Sequence, residues 1–191
     1  MNPKLSEQFF VRDNEEKDFG VLIDLTYRCA LECPRCQRQE FFRDHGEKVW
    51  GEDIPLDTIE KATDIFKAIN FGGQLSDPIH HPHFIEILKL CYDKGVHTNI
   101  ATASTGKPKS WFIKAFEANP NARWQFGIDG LPEESHKYRV NQDGQKLFDI
   151  MCEAKNYLNK TPRWQYIVFK YNEEHIEQAK FMAKEKGLHF V

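Results

Sequence analysis

Residues 19–36, FGVLIDLTYRCALECPRC, contain the pattern from which the architecture of this chain can be predicted. The first seven residues, FGVLIDL, are apolar apart from Asp24, which is typical of a strand buried on both faces. Three cysteines, Cys29, Cys33 and Cys36, follow with three and two intervening residues. The segment therefore predicts a buried strand with a candidate metal-binding loop at its carboxyl end.

Short apolar runs and longer amphipathic runs alternate along the rest of the chain. We predict further strands over residues 70–75, 97–102, 123–129, 163–170 and 188–191. One helix is expected to begin at Asp57, with Asp57 as N-cap and Glu60 three residues later. Further helices are expected over residues 83–94, 109–119, 145–159 and 173–186, and residues 39–56 are interpreted as a loop or lid. Six strands alternating with five helices predict an α/β fold, a parallel sheet with outer helices as right-handed crossovers.

A parallel α/β sheet binds its ligands at the carboxyl ends of its strands, in the loops that follow them. The cysteine loop, a Gly-rich turn and the turn at Asp129-Gly130 all have this position in the predicted order. Six units fall short of the eight of a closed barrel. The convergence of three such loops favours a functional site at this end of the sheet.

Composition limits the class of protein. A chain of 191 residues with 40% hydrophobic residues suits one compact domain, and we expect a polar N-terminal extension over residues 1–18 and a core domain over residues 19–191. A net charge of −3 argues against a generally basic nucleic-acid binder. No apolar run approaches the roughly 18 residues of a membrane span. The charged N-terminus lacks the apolar core of a signal peptide.

The cysteines indicate a metal site. Five is an odd number, and a set with one tight cluster is a poor disulfide framework, which favours a reducing, cytoplasmic setting. Three thiolates at this spacing can hold a 4Fe–4S cluster and leave one iron open to another ligand. A closed zinc site needs a fourth ligand, such as a distant His45 or Cys91, which nothing in the spacing selects. The iron–sulfur cluster is the favoured interpretation, with zinc or a metal-free thiol cluster as alternatives.

One stretch of the chain resembles the CxxxCxxC signature of radical S-adenosylmethionine (radical SAM) enzymes. It reads Leu25-Thr26-Tyr27-Arg28-Cys29-Ala30-Leu31-Glu32-Cys33-Pro34-Arg35-Cys36. In that family the loop follows the first strand of a partial (β/α)6 barrel. The resemblance extends over most of the chain, through a Gly-rich turn, a Thr-rich strand end, an Asp-Gly turn and an Asn after the fifth strand. It is closest to the branch with peptide-modifying and cofactor-maturing members.

The resemblance implies a mechanism and its partners. The open iron of a 4Fe–4S cluster chelates the amino and carboxylate groups of SAM, and one electron cleaves the sulfonium to give methionine and a 5′-deoxyadenosyl radical. That radical abstracts a hydrogen from the substrate. A flavodoxin- or ferredoxin-like protein is the expected electron donor. The substrate stays open, with a peptide or another macromolecule among the options and no membrane partner, and no catalytic side chain is assigned.

The family's Gly-Gly-Glu-Pro segment, which receives the amino group of SAM, has two counterparts here. Gly72-Gly73-Gln74 matches it with Gln in place of Glu, whereas Ser76-Asp77-Pro78 matches Gly-Glu-Pro. The resemblance therefore implies SAM contacts at Gly72, Gly73, Gln74, Ser76 and Asp77. The neighbouring His80, His81 and His83 are tempting as a second metal site, but the family often carries His-Pro at this helix start.

Later strand ends supply the remaining SAM candidates. The resemblance implies ribose contacts from Thr102 or Ser104 and from Asp129, a carboxylate contact from Arg139, and adenine contacts from Val168 and Phe169. An arginine suits a carboxylate because its planar fork gives two parallel hydrogen bonds. Arg35 stands where the family commonly has an aromatic residue, and it either stacks on the adenine or faces solvent. Turn, surface-charge and buried-strand roles are the plain alternatives for these residues.

Two other functions stay open at this level. The first is a non-catalytic iron–sulfur or zinc module that binds a partner. The second is a glycyl-radical-type activating subunit, whose substrate is another protein's backbone. Iron and sulfide content, together with SAM-dependent production of 5′-deoxyadenosine, separates the enzyme from the non-catalytic module.

Overall fold

The computed structural model describes residues 20–73 and 75–191, so the expected N-terminal extension, Phe19 and Gln74 lie outside the described residues. Six strands form one sheet in which sequence neighbours are spatial neighbours and every pairing is parallel. They are β1 (Gly20–Leu22), β2 (Ala68–Phe71), β3 (His97–Thr102), β4 (Arg123–Gly127), β5 (Arg163–Gln165) and β6 (His189–Phe190). The predicted α/β class with a parallel sheet is confirmed.

Helices connect consecutive strands. They are α1 (Gln37–His45), α2 (Leu56–Ile65), α3 (Phe84–Asp93), α4 (Lys109–Ala118), α5 (Gly144–Ala154) and α6 (Ile176–Glu185). Short 3-10 turns cover Pro78–His80, Ser135–Lys137 and Glu173–His175. Within residues 20–73 and 75–191, no helix is long and apolar enough to cross a membrane.

Helix α1 lies where a loop or lid was predicted, so that prediction was wrong for residues 39–45. The helix begins directly after Cys36 and ends at Gly46, whose φ of 71° places it in the left-handed conformation common after a helix. None of its residues is buried. It therefore lacks the apolar face by which an amphipathic helix is recognised in a sequence.

Side chains alternate between the two faces of each strand, and the helices cover one face. This face carries the core residues Ile69, Phe71, Ile100, Trp124, Phe126 and Trp164, each at most 1% exposed. The ring of Trp124 lies 5.0 Å from that of Phe116 in α4 and 6.1 Å from that of Phe84 in α3. Burial of side chains of this size stabilises the fold by roughly 1.5–3 kcal/mol each. This core fixes the strands, and thereby the positions of their carboxyl ends.

The opposite face of the sheet is polar. The strand register places Asn70 beside Asn99 and Asn99 beside Arg123, and it places Gln125 beside Arg163. Register partners point to the same side of a sheet, so these five side chains share the face that the helices leave uncovered.

Several boundaries differ from prediction for local reasons. Helix α2 begins at Leu56 after Pro55 without a side-chain cap, and Asp57 lies inside its first turn, 3.5 Å from Lys61. Strand β2 ends at residue 71 instead of 75, β5 ends at residue 165 instead of 170, and α5 ends at residue 154 instead of 159. After β5 the chain folds around Asn172, whose side chain accepts from Phe169 N at 2.7 Å and donates to Ile167 O at 3.0 Å.

Candidate active site

A cavity of about 240 Å³ opens at the carboxyl ends of the strands, where the three predicted loops meet. It contains the three clustered thiols, one carboxylate and two guanidinium groups. Its lining residues are Cys29, Leu31, Cys33, Cys36, Arg38, Gly73, Ser76, Asp77, Ala101, Thr102, Ala103, Gly127, Tyr138, Arg139, Gln165 and Ile167. The cavity therefore joins residues from five strand ends and the loops that follow them.

The cysteine loop is held from two sides. Thr26 Oγ1 donates to Asp53 Oδ1 at 2.6 Å, and Arg28 Nη2 lies 2.7 Å from Asp53 Oδ2. On the other side, Asp77 N donates to Arg28 O at 3.0 Å. Cys36 N donates to Cys33 O at 2.9 Å, and Cys36 precedes the first residue of α1. The thiol positions are thus fixed by the segment before α2 and by the loop after β2.

Burial affects the charge state of two of the thiols, Cys29 and Cys33. Burial, reinforced by the Asp77 carboxylate, raises the pKa of Cys29 to about 12. Burial also raises the pKa of Cys33, in opposition to the Arg139 guanidinium. A thiolate is therefore costly in this cavity unless a cation binds it, because a metal centre supplies the missing positive charge. These thiols suit metal ligation better than a role as free nucleophiles.

Arg38 is an unsatisfied cation beside the thiols, and sequence analysis did not single it out. Its Nη1 donates to Cys29 O at 3.4 Å. Its Nε is buried and has no hydrogen-bond partner among the described residues. A buried donor without a partner is costly, so the site accommodates a further acceptor. A negatively charged thiolate cluster is an acceptor of the required kind.

The three thiols line one cavity without forming a site for a single ion. In the described part of the chain, no group of three or more His, Cys, Asp or Glu side chains is arranged to hold one metal ion. A 4Fe–4S cluster attaches each thiolate to a different iron, so its ligands need not converge on one point. The distant ligands weighed for zinc lie elsewhere: His45 stacks on Phe41, and Cys91 is fully buried in the core.

The three clustered histidines have separate partners. His80 Nε2 lies 2.8 Å from Ser104 Oγ, and His81 Nε2 lies 3.0 Å from Ile54 O. The ring of His83 is 3.2 Å from the Glu86 carboxylate in the first turn of α3. The three rings therefore have different partners, which lie after β3, before α2 and in α3 respectively.

Asp77 connects the loop after β2 to the end of β3. Its carboxylate is 4% exposed and accepts from Thr102 Oγ1, Ala103 N and Ser104 N, each at 2.9 Å. Thr102 lines the cavity, whereas fully buried Ser104 does not. The two residues predicted from the Thr-rich strand end thus hold the Asp77 carboxylate.

The Gly-rich loop brings both of its predicted counterparts to one place. Gly73, Ser76 and Asp77 line the cavity, while Gly72 faces a different one. A Cβ on Gly73 would lie 1.6 Å from Ser76 O, so only glycine fits there. Ser76 Oγ donates to Asp24 Oδ1 at 2.6 Å, which ties this loop to the segment after β1. The predicted contact from Gln74 lies outside the described residues.

Asp129 and Arg139 form a buried ion pair, with Arg139 Nε 2.6 Å from Asp129 Oδ2. Asp129 is fully buried, and its Oδ1 accepts from Ile167 N at 2.9 Å. Burial lowers the pKa of Arg139, but attraction and hydrogen bonding from Asp129 outweigh it and raise that pKa overall. Arg139 lines the cavity and Asp129 does not. A Cβ on Gly127 would come 3.0 Å from Arg139 Nη2, so this glycine leaves room for the guanidinium.

Gln142 joins two of the strand ends, and it was missed because a lone Gln after a turn carries no sequence signal. Its side chain is buried and donates to Ala103 O at 2.6 Å and to Gly127 O at 2.8 Å. Both acceptors line the cavity. The amide thus bridges the carboxyl ends of β3 and β4.

On the β5 side, the lining residues differ from those predicted. Gln165 and Ile167 line the cavity, whereas Val168 and Phe169 do not. Val168 is 54% exposed. Phe169 packs instead on Tyr138, a lining residue, with ring centroids 4.2 Å apart. Arg35 is exposed and also lies away from the cavity lining.

Comparison with curated proteins matches the chain to two relatives. It is 26% identical over 93 residues to the PqqA peptide cyclase of Bradyrhizobium diazoefficiens, which covers 44% of this chain and 22% of that protein. It is 29% identical over 86 residues to the tungsten-containing aldehyde ferredoxin oxidoreductase cofactor-modifying protein of Pyrococcus furiosus, covering 44% and 24%. The chain thus spans about a quarter of the length of these relatives. No family model matches.

Solved structures share the fold at low identity. Streptococcus suis SuiB bound to its precursor peptide SuiA superposes with a TM-score of 0.71 at 14% identity, covering 97% of this chain and 40% of SuiB. The AdoMet-bound structure of anSMEcpe superposes with a TM-score of 0.64 at 17% identity, covering 91% and 50%. The curated relatives and these structures are radical SAM enzymes.

These matches support the radical SAM superfamily as the group of enzymes that the chain resembles. The sheet order, the cysteine loop after β1 and the cavity at the strand carboxyl ends agree with this assignment.

Proposed function

We propose that this chain forms the core of a radical SAM enzyme, with a 4Fe–4S cluster on Cys29, Cys33 and Cys36 and SAM beside it. One observation carries the proposal: three free thiols face a single cavity together with two guanidinium groups, Arg38 and Arg139. Thiolates are soft ligands that select iron–sulfur clusters or zinc. Two nearby cations offset the negative charge that three thiolates bring into a buried site.

When bound, the cluster and SAM together supply a one-electron cleavage that gives methionine and a 5′-deoxyadenosyl radical, which abstracts a substrate hydrogen. The protein's contribution is geometric and electrostatic. The Cys29 and Cys33 sulfurs are shielded by Leu31 and Ala103, with which Cys33 forms a small buried cluster. This shielding limits the access of water and oxygen to the metal side of the cavity.

Arg139 is the proposed partner of the SAM carboxylate. Among the described residues, the Arg139 guanidinium makes one side-chain hydrogen bond, from Nε to Asp129, which leaves Nη1 and Nη2 for the ligand. Such a fork binds a carboxylate through two parallel hydrogen bonds. We assign Asp129 the positioning of Arg139 in place of a ribose contact, because Asp129 is fully buried and does not line the cavity.

The other proposed SAM contacts follow the cavity lining. Gly73, Ser76 and Thr102 supply backbone and hydroxyl groups near the cysteine loop. Gln165 and Ile167, in place of Val168 and Phe169, offer an amide and an apolar surface on the β5 side. Gly72, Ser104 and Arg35 act outside this lining, so we assign them no direct contact.

A peptide is the proposed kind of substrate. The support comes from the relatives, which include a peptide cyclase and SuiB, whose structure contains a precursor peptide. A flavodoxin- or ferredoxin-like protein is the proposed electron donor, and the cytoplasm is the proposed compartment.

Anaerobic reconstitution with iron and sulfide tests this function. The full chain is expected to bind about four irons and to release 5′-deoxyadenosine when a reductant and SAM are present. Cys33→Ala is expected to lose both. Cys152→Ala is the matched control, because that half-buried thiol on α5 lies outside the cavity. Iron binding without 5′-deoxyadenosine would favour the non-catalytic module, and full iron content in the triple Cys29, Cys33 and Cys36 alanine variant would refute the site.

A further inference from the structure

A second cavity of about 340 Å³ lies on the uncovered face of the sheet. Ala101 lines both this cavity and the thiol cavity, so the two adjoin. Half of the residues that line the second cavity have polar side chains: Asn70, Asn99, Gln125, Arg123 and Arg163. Polar side chains that converge on one cavity can fix the orientation of a ligand that has polar or charged atoms.

Two of these side chains are cations without a counter-ion. Among the described residues, Arg123 and Arg163 have no ion pair and no side-chain hydrogen bond, whereas Asn99 and Asn70 bond to each other at 2.6 Å. The six strands contain no aspartate or glutamate. The face is therefore positive although the whole chain has a net charge of −3.

The two guanidinium groups lie close enough to repel each other. Burial lowers the pKa of Arg163, and the Arg123 guanidinium lowers it further. Like charges held together in a partly buried cavity are unfavourable until an anion joins them. Two planar forks match carboxylate oxygens, and the neighbouring amides can donate as well.

We propose that Arg123 and Arg163 bind a carboxylate of the substrate. This contact would orient the substrate next to the thiol cavity. This inference rests on the proposed function, because only an enzyme has a substrate whose carboxylate could bind here. Gln165 lines the thiol cavity, and Arg163 lies two positions before it, which is about 7 Å along the strand. A carboxylate held there places atoms a few bonds away at the mouth of the thiol cavity. In a peptide, either an acidic side chain or the free carboxyl terminus supplies the group.

Binding of small carboxylates to the reconstituted full chain tests the site. The probes are N-acetyl-glutamate N-methylamide for a side-chain carboxylate, N-acetyl-glycine for a terminal one, and N-acetyl-glutamine N-methylamide as the neutral isostere. Titration calorimetry is expected to show that at least one carboxylate binds roughly fivefold to tenfold more tightly than the isostere. The arm with the larger preference identifies the source of the carboxylate.

Variants assign that preference to the two arginines. Arg123→Gln and Arg163→Gln are each expected to lose most of it, and Arg123→Lys to keep part of it, because lysine keeps the charge without the fork. Lys114→Gln removes the same charge from an exposed position on α4 and is the matched control. Circular dichroism checks that each variant is folded.

Two outcomes overturn the inference. The first is equal binding of all three probes to the wild-type chain, or a preference that survives in the double glutamine variant. The second is binding of inorganic phosphate alone, abolished by the same variants, which would assign the site to another anion. Release of 5′-deoxyadenosine by the wild-type chain reports on the proposed function separately. A chain that cleaves SAM without preferring carboxylates loses only this inference, and one that prefers carboxylates without cleaving SAM loses only the enzyme assignment.

Discussion

The two arginines that line the thiol cavity differ in how their guanidinium groups are paired. Arg139 is fixed by its 2.6 Å ion pair to fully buried Asp129. Arg38 has a buried Nε without a partner among the described residues. A cation that is already neutralised and oriented can present its remaining donors to a ligand. A cation with an unpaired buried donor can instead interact with the negative charge that the thiols carry when they bind a metal.

Arg38 is therefore expected to tune the electron affinity of the proposed 4Fe–4S cluster. Removing a nearby positive charge disfavours the reduced, more negative state, so Arg38→Gln should lower the reduction potential by on the order of 50 mV. Iron content should be kept, because the three thiols remain. A redox titration followed by electron paramagnetic resonance measures this. Arg35→Gln is the control, since Arg35 is exposed and lies away from the cavity lining; equal shifts in both variants would contradict a specific role.

The Asp129–Arg139 pair makes a prediction about stability as well as binding. Arg139→Gln leaves a fully buried carboxylate without its cation, which typically costs about 3–5 kcal/mol. Adding Asp129→Asn removes that charge, so the double variant should regain part of the free energy of unfolding. Both variants should bind SAM more weakly, by roughly tenfold to a hundredfold. Denaturant unfolding and calorimetry measure the two effects, and a double variant less stable than Arg139→Gln would speak against the pair.

At the scale of elements, the loop after β2 depends on the absence of a side chain at Gly73. A Cβ there would lie 1.6 Å from Ser76 O, and a backbone atom cannot move aside as a flexible side chain can. Gly73→Ala should destabilise the chain by about 1–3 kcal/mol, or roughly 3–10 °C in Tm. Gly72→Ala is the adjacent control, because its Cβ would lie an ordinary 3.7 Å from Leu22 Cδ1. Equal thermal melting of the two variants would contradict the steric argument.

The strands and most helices could be predicted because their pattern reflects burial. Trp124, Phe126 and Trp164 lie in apolar runs and are each fully buried. Helix α1 could not be predicted, since none of its residues is buried and its polar sequence gives no periodic signal. The end of β5 was also missed, because an apolar run does not reveal that Asn172 bonds back to Ile167 and terminates the strand pairing.

The candidate site was predictable where a residue type implies a chemistry. The thiol cluster carries such a signal, whereas Arg139 was expected from the resemblance, and both line one cavity. Arg38, Gln142 and Gln165 were missed, because a single Arg or Gln carries no sequence signal and its place in the cavity depends on the fold. Gln142, for example, bonds to Ala103 O, 39 positions away. The ribose contact expected of Asp129 follows from resemblance, whereas its full burial and its ion pair with Arg139 are visible only in the structure.

At the scale of the whole molecule, buried polar contacts between distant loops hold the cavity's walls together. Glu134, in the loop after β4, is 6% exposed and accepts from Leu131 N at 2.9 Å. It also lies 2.7 Å from His175, in the 3-10 turn before α6, and 3.3 Å from Lys137. This one carboxylate therefore links the β4 and β5 sides of the site.

The same contacts make the stability of the fold depend on pH. Burial alone would raise the pKa of Glu134, but the bonds from Leu131 N, His175 and Lys137 outweigh it and lower that pKa. A carboxyl group with a depressed pKa stabilises the folded chain above its ordinary value, and the contribution is lost as the pH falls through the folded value. Glu134→Gln should therefore lower the free energy of unfolding by about 1–3 kcal/mol at pH 7. The difference from wild type should shrink below about pH 4.

Denaturant unfolding of both chains between pH 3 and pH 8, at about half-unit steps, measures that difference. Glu133→Gln removes the same charge from the adjacent exposed position and gives the baseline. Substitution of Glu134 removes its contact with His175, which is 41 positions away in the sequence. We therefore expect it to affect the cooperative unfolding transition of the whole chain. The loss of free energy of unfolding in Glu134→Gln could instead stay constant down to pH 3. That result would mean that the shape of the side chain at residue 134 matters rather than its charge, and it would contradict the electrostatic explanation.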